Sequence, residues 1–356
     1  MPSGKDFDVI VIGVGSVGQA LVRQLRSAYS RVKFTRGIGL RVIGLADRSG
    51  LLYNAEGLPE ERMDEALAAK VSGKPIKTVQ SAVPPVSLSK LAKRDTLFVD
   101  ATAAPKMAQD WCDVLNNGAG VVLANKLPLC EKWNRCSPLF NHPRVRYEAT
   151  VGAGLPVIST QSSLQATGDC IDRMEGALSG TLGYLASNIS EGVPFSKALA
   201  EAVELGYAEP DPSEDLSGRD VARKAVILSR SAGWPVELSN VRLDGLISEK
   251  QAADITDPAV ALAVDASLKA QFEAADLSGE TLRYMAQISP CGIRVGLAHV
   301  ARGDAFTTLA GPENRVAFYT KRYARHPLGI TGPGAGSAVT ASGVLSYLIS
   351  LAERAC

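Results

Sequence analysis

Asp8-Val9-Ile10-Val11-Ile12-Gly13-Val14-Gly15-Ser16-Val17-Gly18 is a β-branched run that breaks into glycine. After it, Val17, Ala20, Leu21 and Leu25 recur at helical spacing on one face. Read alone, Gly13-x-Gly15-x-x-Gly18 is a common turn. Between a strand and a helix it has a specific physical use. Gly13 permits the tight turn, Gly15 lets a pyrophosphate approach the backbone, and Gly18 lets the helix lie close to the sheet. Val14, Ser16 and Val17 fall in the same loop, whose N–H groups lead into a helix N-terminus that favours an anion. A dinucleotide is the ligand these features suit. A second strand ends in Asp47-Arg48-Ser49. An acid there accepts a ribose 2′-hydroxyl and favours NAD, whereas Arg48 suits the 2′-phosphate of NADP, so NADP or NAD stays open. The gap from Gly18 to Asp47 exceeds the usual ~20 residues, so a loop insertion is expected near residues 30–39.

Working outward, residues 40–46, 96–100 and 120–124 read as further short apolar strands, with a helix over about 106–115. Continuous apolar strands alternating with helices mean a parallel sheet covered on both faces. The expected fold is α/β: a Rossmann-type doubly wound parallel sheet, followed by an α+β domain. The pattern changes after about residue 147. Helical segments are expected near 181–190, 195–205, 218–232 and 257–275, and strands near 172–178, 242–247, 281–288 and 292–297. A helix over 336–352 with a glycine-rich entrance closes the pattern.

At 356 residues, one domain per about 150 predicts roughly two domains with cores of their own. The charged side chains, 38 Lys plus Arg against 37 Asp plus Glu, leave a net charge of +1. That balance excludes a polyanionic partner such as nucleic acid, and an anionic membrane surface. Glycine, 33 residues, exceeds the usual ~7%. Cys112, Cys130, Cys136, Cys170, Cys291 and Cys356 form no C-x-x-C and no zinc spacing, so reduced, mostly buried thiols are expected. No secretory or transit pattern is visible near Asp6 and Asp8, which points to the cytoplasm. The longest stretch free of charge, His326 to Ala352, is too interrupted by glycine to span a bilayer.

A second constellation is Gly206-Tyr207-Ala208-Glu209-Pro210-Asp211-Pro212, then Asp215-Leu216-Ser217-Gly218-Arg219-Asp220, with Lys224 four residues on. Two prolines stiffen this acidic loop, and Ser217 is placed to cap the following helix. Asp220 and Lys224 stand at i and i+4, which by itself describes an ordinary surface ion pair. Beside an acidic loop suited to a ligand ammonium, a lysine can instead shuttle a proton at a reacting oxygen. Glu148-Ala149-Thr150-Val151-Gly152-Ala153-Gly154-Leu155-Pro156 and Ser179-Gly180-Thr181-Leu182-Gly183 are two more glycine-rich connectors. Gly332-Pro333-Gly334-Ala335-Gly336 brings a second set of backbone N–H groups to a helix entrance.

These stretches, Glu148–Pro156, Ser179–Leu182, Leu205–Pro212, Asp215–Lys224 and Gly332–Leu345, resemble in order the hallmark segments of homoserine dehydrogenase, over essentially the whole chain. The resemblance implies NAD(P)-dependent interconversion of L-homoserine and L-aspartate 4-semialdehyde, on the route to threonine, methionine and isoleucine. It implies that Lys224 is the proton donor and acceptor, with Asp220 beside it. Glu209, Asp220, Asp215, Thr181 and Lys126 match substrate-side positions. Gly206, Thr102, Ala124, Lys126 and Gly336 match cofactor contacts, in addition to the glycine loop, Asp47 and Arg48. Glu148 and the carbonyls of Val151, Ala153 and Leu155 match a sodium site of some members.

The same resemblance implies a homodimer with a discontinuous dinucleotide-binding domain, residues 1–147 and 332–356. It implies a dimerisation region at 148–165 and 310–331, and a catalytic domain at 166–309. At 100–104 the chain reads Asp-Ala-Thr-Ala-Ala where some members carry more Asn and Ser. The chain stops at Cys356 after the last helix, so feedback inhibition through a C-terminal regulatory domain is not expected. A different two-domain dehydrogenase shares the glycine motif, but gives no reason for Asp220, Lys224 and the acidic loop together. A dinucleotide-sensing regulator would need no lysine there and would carry a basic DNA-binding element.

Overall fold

The computed structural model describes residues 5–208 and 211–355, and the chain divides into two units, Met1–Gly154 with Gly336–Cys356, and Leu155–Ala335. The sequence places these boundaries near 147 and 332.

In the first unit, β1 (Lys5–Ile12) leads through the glycine loop into α1 (Ser16–Arg36), and β2 (Ile38–Asp47) returns alongside β1. No loop insertion occupies residues 30–39: the extra length is helix. Helix α1 runs on through an amphipathic stretch and stops at Gly37, whose left-handed backbone (φ +67°) lets its N–H bond the Lys33 carbonyl at 3.0 Å. Lys33 and Arg36 in its last turn complement the helix dipole. The unit continues with β3 (Gly50–Tyr53), α2 (Glu60–Val71), β4 (Thr96–Asp100), α3 (Ala108–Asn116), β5 (Gly120–Leu123), α4 (Trp133–Asn141), β6 (Val145–Arg146) and α5 (Ala149–Gly152).

The strand order is β3-β2-β1-β4-β5-β6, parallel except for the antiparallel β3. Asp8 lies opposite Thr96 and Ile12 opposite Asp100, so β1 and β4 end level with each other at the crevice where the strand order reverses. The last helix, Ser337–Glu353, folds onto this sheet. Its Val344, Leu348 and Leu351 join Phe7, Val9, Val11, Leu21 and Leu25 in one buried core. Full burial of each such side chain contributes about 1.5–3 kcal/mol, which anchors the helix despite its distance in sequence. Gly343 meets Ala153 backbone-on-backbone: a β-carbon there would stand 2.7 Å from the Ala153 carbonyl oxygen.

The second unit comprises α6 (Val157–Ala166), β7 (Ile171–Ala177), α7 (Gly180–Ser190), α8 (Phe195–Glu204), α9 (Ser213–Leu216), α10 (Arg219–Ser231), β8 (Arg242–Leu243), α11 (Glu249–Ala253), α12 (Pro258–Leu277), β9 (Glu280–Ser289), β10 (Gly292–Ala301), β11 (Glu313–Thr320) and β12 (Leu328–Pro333). The expected strand at 242–247 shortens to Arg242–Leu243, because Asp244 N–H turns to the Val295 carbonyl and Gly245 packs against the Ile247 carbonyl. The sheet order β12-β11-β7-β9-β10-β8 is antiparallel apart from the β8–β10 pair.

Five cysteines are described, all of them free thiols. Cys136 is buried, but Cys170 and Cys291 are exposed, contrary to the expectation of mostly buried thiols. Both flank strands of the second sheet at turns, where the chain meets solvent. No described helix is long and apolar enough to cross a membrane.

Candidate active site

The glycine loop sits at the C-terminal ends of β1 and β4. Gly13 has φ +94°, and a β-carbon on it would lie 2.6 Å from the Ala101 carbonyl carbon, so only glycine fits this crossing. Gly18 is pressed on the Gly13 carbonyl, which fixes how closely α1 approaches the sheet. Gly15 faces open space and is the N-cap of α1, with no side chain capping the helix. The first-turn N–H groups therefore lack a side-chain acceptor, as a phosphate site requires.

Gly13, Val14 and Gly15 line a cavity of about 960 Å³ together with Asp47, Arg48, Lys70 and Thr102. That volume lies at the upper end of the range for small-molecule sites. The residues present fit a dinucleotide: an open glycine backbone at the centre, charged groups at the β2 end and a small-residue loop, 101–105, at the β4 end. Ser16 is exposed and Val17 and Gly18 follow it in the first turn of α1.

Asp47 lines the cavity with both carboxylate oxygens already hydrogen-bonded within its own unit. Its Oδ1 accepts the Ser49 N–H (2.8 Å) and the Ser49 hydroxyl (2.5 Å). Its Oδ2 accepts Lys70 Nζ (2.8 Å) and the Ile76 N–H (3.1 Å). Burial pushes this carboxyl up, but the bonds from Lys70, Ser49 and Ile76 outweigh it and hold the group at about 2. The carboxylate is thus committed to its own protein and neutralised by Lys70. Arg48 beside it is exposed.

Lys70 was not visible as a site residue in the sequence. The signal is there in Pro59 before Glu60-Glu61, with Lys70 near the other end, the charge pattern of a helix. Thr102 is held by Asp100: its hydroxyl donates to Asp100 Oδ1 at 2.7 Å. Ala124 and Lys126 flank Asn125 on the segment after β5. Gly336 (φ +117°) is the N-cap of the last helix. Glu148 is buried, and its Oε2 accepts the Tyr347 hydroxyl at 2.5 Å. Val151 and Ala153 are buried in the same turn, and the Leu155 carbonyl accepts the Val157 N–H at 2.8 Å.

In the second unit, Lys224 lies one turn into α10 and is buried, at 8% exposure. Its Nζ donates to the Leu178 carbonyl, just past the end of β7, at 2.6 Å and pairs with Asp220 Oδ2 at 3.0 Å. An ion pair on an exposed helix face is worth little, but a lysine buried at this depth requires the Leu178 and Asp220 oxygens to offset its desolvation. The cap of α10 is Gly218 (φ +70°) and not Ser217, although the Ser217 hydroxyl still accepts the Arg219 N–H at 3.2 Å.

Thr181, at the start of α7, donates its hydroxyl to the Tyr207 carbonyl at 2.5 Å, and the Tyr207 ring stands edge-on to Tyr184 at 5.3 Å. Together they tie α7 to the segment carrying Gly206, which is left-handed at φ +71°. Glu209 and the side chain of Asp215 lie outside the described residues.

A glycine loop at the switch point of a parallel sheet defines a dinucleotide-binding protein, and the chain elsewhere buries a lysine against a half-exposed aspartate. A family model described as homoserine dehydrogenase matches residues 156–349, and one described as homoserine dehydrogenase, NAD binding domain, matches residues 13–148. The chain belongs to the homoserine dehydrogenase family, whose members are NAD(P)-dependent oxidoreductases.

It is 37% identical over 353 residues, 96% of its length, to the chloroplastic bifunctional aspartokinase/homoserine dehydrogenase 2 of Zea mays, of which it spans 38%. It is 36% identical over 382 residues to a homoserine dehydrogenase of Paracoccidioides brasiliensis, covering 99% of both chains. A solved hyperthermophilic archaeal homoserine dehydrogenase in complex with NADPH shares the fold at a TM-score of 0.74, with 24% identity and 97% of both chains covered.

Proposed function

We propose that this chain interconverts L-homoserine and L-aspartate 4-semialdehyde with a nicotinamide dinucleotide. The observation that carries the proposal is Lys224, an ammonium held inside the second unit by the Leu178 carbonyl and Asp220. A bound nicotinamide dinucleotide supplies the hydride chemistry. Gly13, Val14, Gly15, Ser16, Val17 and Gly18 would hold its pyrophosphate, with Thr102, Ala124, Lys126, Gly206 and Gly336 as further contacts.

Lys224 gives a proton to the substrate oxygen as the aldehyde becomes an alcohol, and takes it back in the oxidation. Asp220 fixes where that ammonium points. Glu209, Asp215 and Asp220 meet the charge of the substrate ammonium, while Thr181 and Lys126 complete its surroundings. Positioning of the amino acid in this way converts an encounter into a near-unimolecular step.

The state of Asp47 favours the phosphorylated dinucleotide. With its carboxylate and Lys70 neutralising each other, the cavity end lined by the exposed Arg48 suits a 2′-phosphate better than a bare ribose. NADPH in the archaeal relative agrees with this preference. We also propose a homodimer formed through residues 148–165 and 310–331, a cytoplasmic location, and a place on the route to threonine, methionine and isoleucine. A sodium ion at Glu148, with the carbonyls of Val151, Ala153 and Leu155, is part of the same proposal. Its support is a buried carboxylate in a turn rich in backbone carbonyls.

The decisive experiment is homoserine oxidation assayed with NADP and with NAD in turn. Turnover with both, faster at low concentration of NADP, is expected. An absence of turnover with either removes the proposal.

A further inference from the structure

Asp100 ends β4 with no exposed surface, and none of the roles above uses it. Its carboxylate sits among donors from three segments. Oδ1 accepts the Thr102 N–H at 3.0 Å and the Thr102 hydroxyl at 2.7 Å. Oδ2 accepts the Trp111 indole N–H of α3 at 3.0 Å and the Asn125 side-chain amide at 3.2 Å. The backbone repeats the arrangement: the Asp100 carbonyl accepts the N–H groups of Ala124 and Asn125. Asn125 in turn donates to the Thr102 hydroxyl (3.2 Å) and the Ala104 carbonyl (2.9 Å), and accepts the Leu127 N–H (3.0 Å).

One buried residue therefore fixes both segments that follow the central strands β4 and β5, the first of which lines the dinucleotide cavity at Thr102. A buried carboxylate is expensive to keep. Retaining it at the switch point, directly after the apolar Leu97, Phe98 and Val99 of β4, requires a return. An apolar residue here would leave the Thr102 and Asn125 donors without this acceptor and let the two segments relax apart. Burial pushes the carboxyl up against the pull of these hydrogen bonds, as expected of a carboxylate whose charge is met by dipoles alone.

We infer that Asp100 is a positioning residue for the cofactor: its carboxylate clamps Thr102 and Asn125 so that the 101–105 loop presents a fixed wall to the dinucleotide. The inference rests on the assignment of this cavity to a nicotinamide dinucleotide. The test is NADPH affinity, followed by nucleotide fluorescence, in D100N, T102V and W111F, with KM and kcat measured alongside.

D100N sets an amide N–H against a donor. It is expected to raise the Kd and KM for NADPH about 10- to 100-fold, the loss of a hydrogen bond to a buried charge, and to leave the homoserine KM at saturating cofactor in place. W111F removes a donor to the same oxygen from the helix side. It is expected to lower the unfolding midpoint while keeping the NADPH Kd.

A folded D100N with the wild-type Kd overturns the inference, as does a W111F that weakens NADPH as much as D100N. If D100N does not fold, T102V decides, because it removes the hydroxyl that Asp100 and Asn125 share. A weakening of about tenfold is expected, and a wild-type Kd refutes the clamp. A wild-type protein that binds no NADPH fails the cavity assignment itself, a result distinct from either.

Discussion

Replacing Asp47 by Asn separates the two readings of that residue. Burial alone would raise the Asp47 carboxyl, but Lys70, Ser49 and Ile76 hold it at about 2 in the folded chain against an ordinary 3.8. With a side chain only 12% exposed, little screening discounts the displacement, which corresponds to about 2 kcal/mol. The unfolded chain takes up its proton first as pH falls, so between about 4 and 2 it binds more protons than the folded chain. The contribution is complete above pH ~4 and disappears as pH falls through ~2.

Asp47→Asn is therefore expected to lose about 2 kcal/mol at pH 7, with the difference from wild type closing on the acid side. Urea unfolding at pH 7, 5 and 3, compared at constant m, measures it. The same variant leaves Lys70 without its carboxylate, so the ratio of NADH to NADPH Kd should rise. A stability difference constant across the acid window, or none at pH 7, would refute the linkage argument. An unchanged ratio, or a shift towards NADH, would refute the view that Lys70, released from Asp47, acts on the 2′-phosphate.

Further outcomes follow from single contacts. Lys224→Met should lower kcat by about 10²–10⁴, the range for a lost general acid/base, with circular dichroism unchanged; near-full turnover removes Lys224 from that role. Gly13→Ala forces a β-carbon against the Ala101 backbone at φ +94°, so dinucleotide binding should be lost and the thermal midpoint lowered. A variant that binds NADPH normally would show that the loop can relax. Tyr347→Phe removes a hydroxyl from the buried Glu148 carboxylate, at a cost of about 1.5–3 kcal/mol, read by chemical unfolding. Unchanged stability would show that another group satisfies Glu148.

Four strands of the first sheet were legible because they are buried on both faces and read as apolar runs, residues 96–100 being recovered residue for residue as β4, whereas the short edge strands β3 and β6 went unread. The gap from Gly18 to Asp47 misled because length alone does not distinguish an inserted loop from a longer helix. The discriminating signal was Gly37, a left-handed stop placed after a basic turn. Strands β11 and β12 went unread as strands: β11 enters the sheet through long-range pairing with β7, and the edge strand β12 pairs with β11 and buries none of its residues. In the site, Lys224 and Asp220 could be joined by helix periodicity, but the Leu178 carbonyl that holds Lys224 lies 46 residues away in sequence. Asp100 was quoted only as a neighbour of Thr102; that it gathers Trp111 and Asn125 depends on β4 and β5 lying side by side.

Asp47 and Asp100 together explain how a chain of near-zero net charge sets the character of its cofactor site. Each stands at the end of a strand next to or near β1, where a ligand would be met. Each has both oxygens occupied by donors of its own unit. A carboxylate so saturated offers a ligand little attraction, and exerts its influence by holding other groups: Lys70 and the Ser49 turn in one case, Thr102 and Asn125 in the other. The groups left to act on a dinucleotide are then the open backbone at Gly15 and the exposed cation Arg48, both of which favour phosphate. If that division of labour is right, Asp47→Asn and Asp100→Asn must differ in kind. The first should change which dinucleotide is preferred, through charge, whereas the second should weaken both dinucleotides by the same factor, through shape. Equal and unselective effects from both variants would mean that the two carboxylates do nothing more specific than stabilise the sheet.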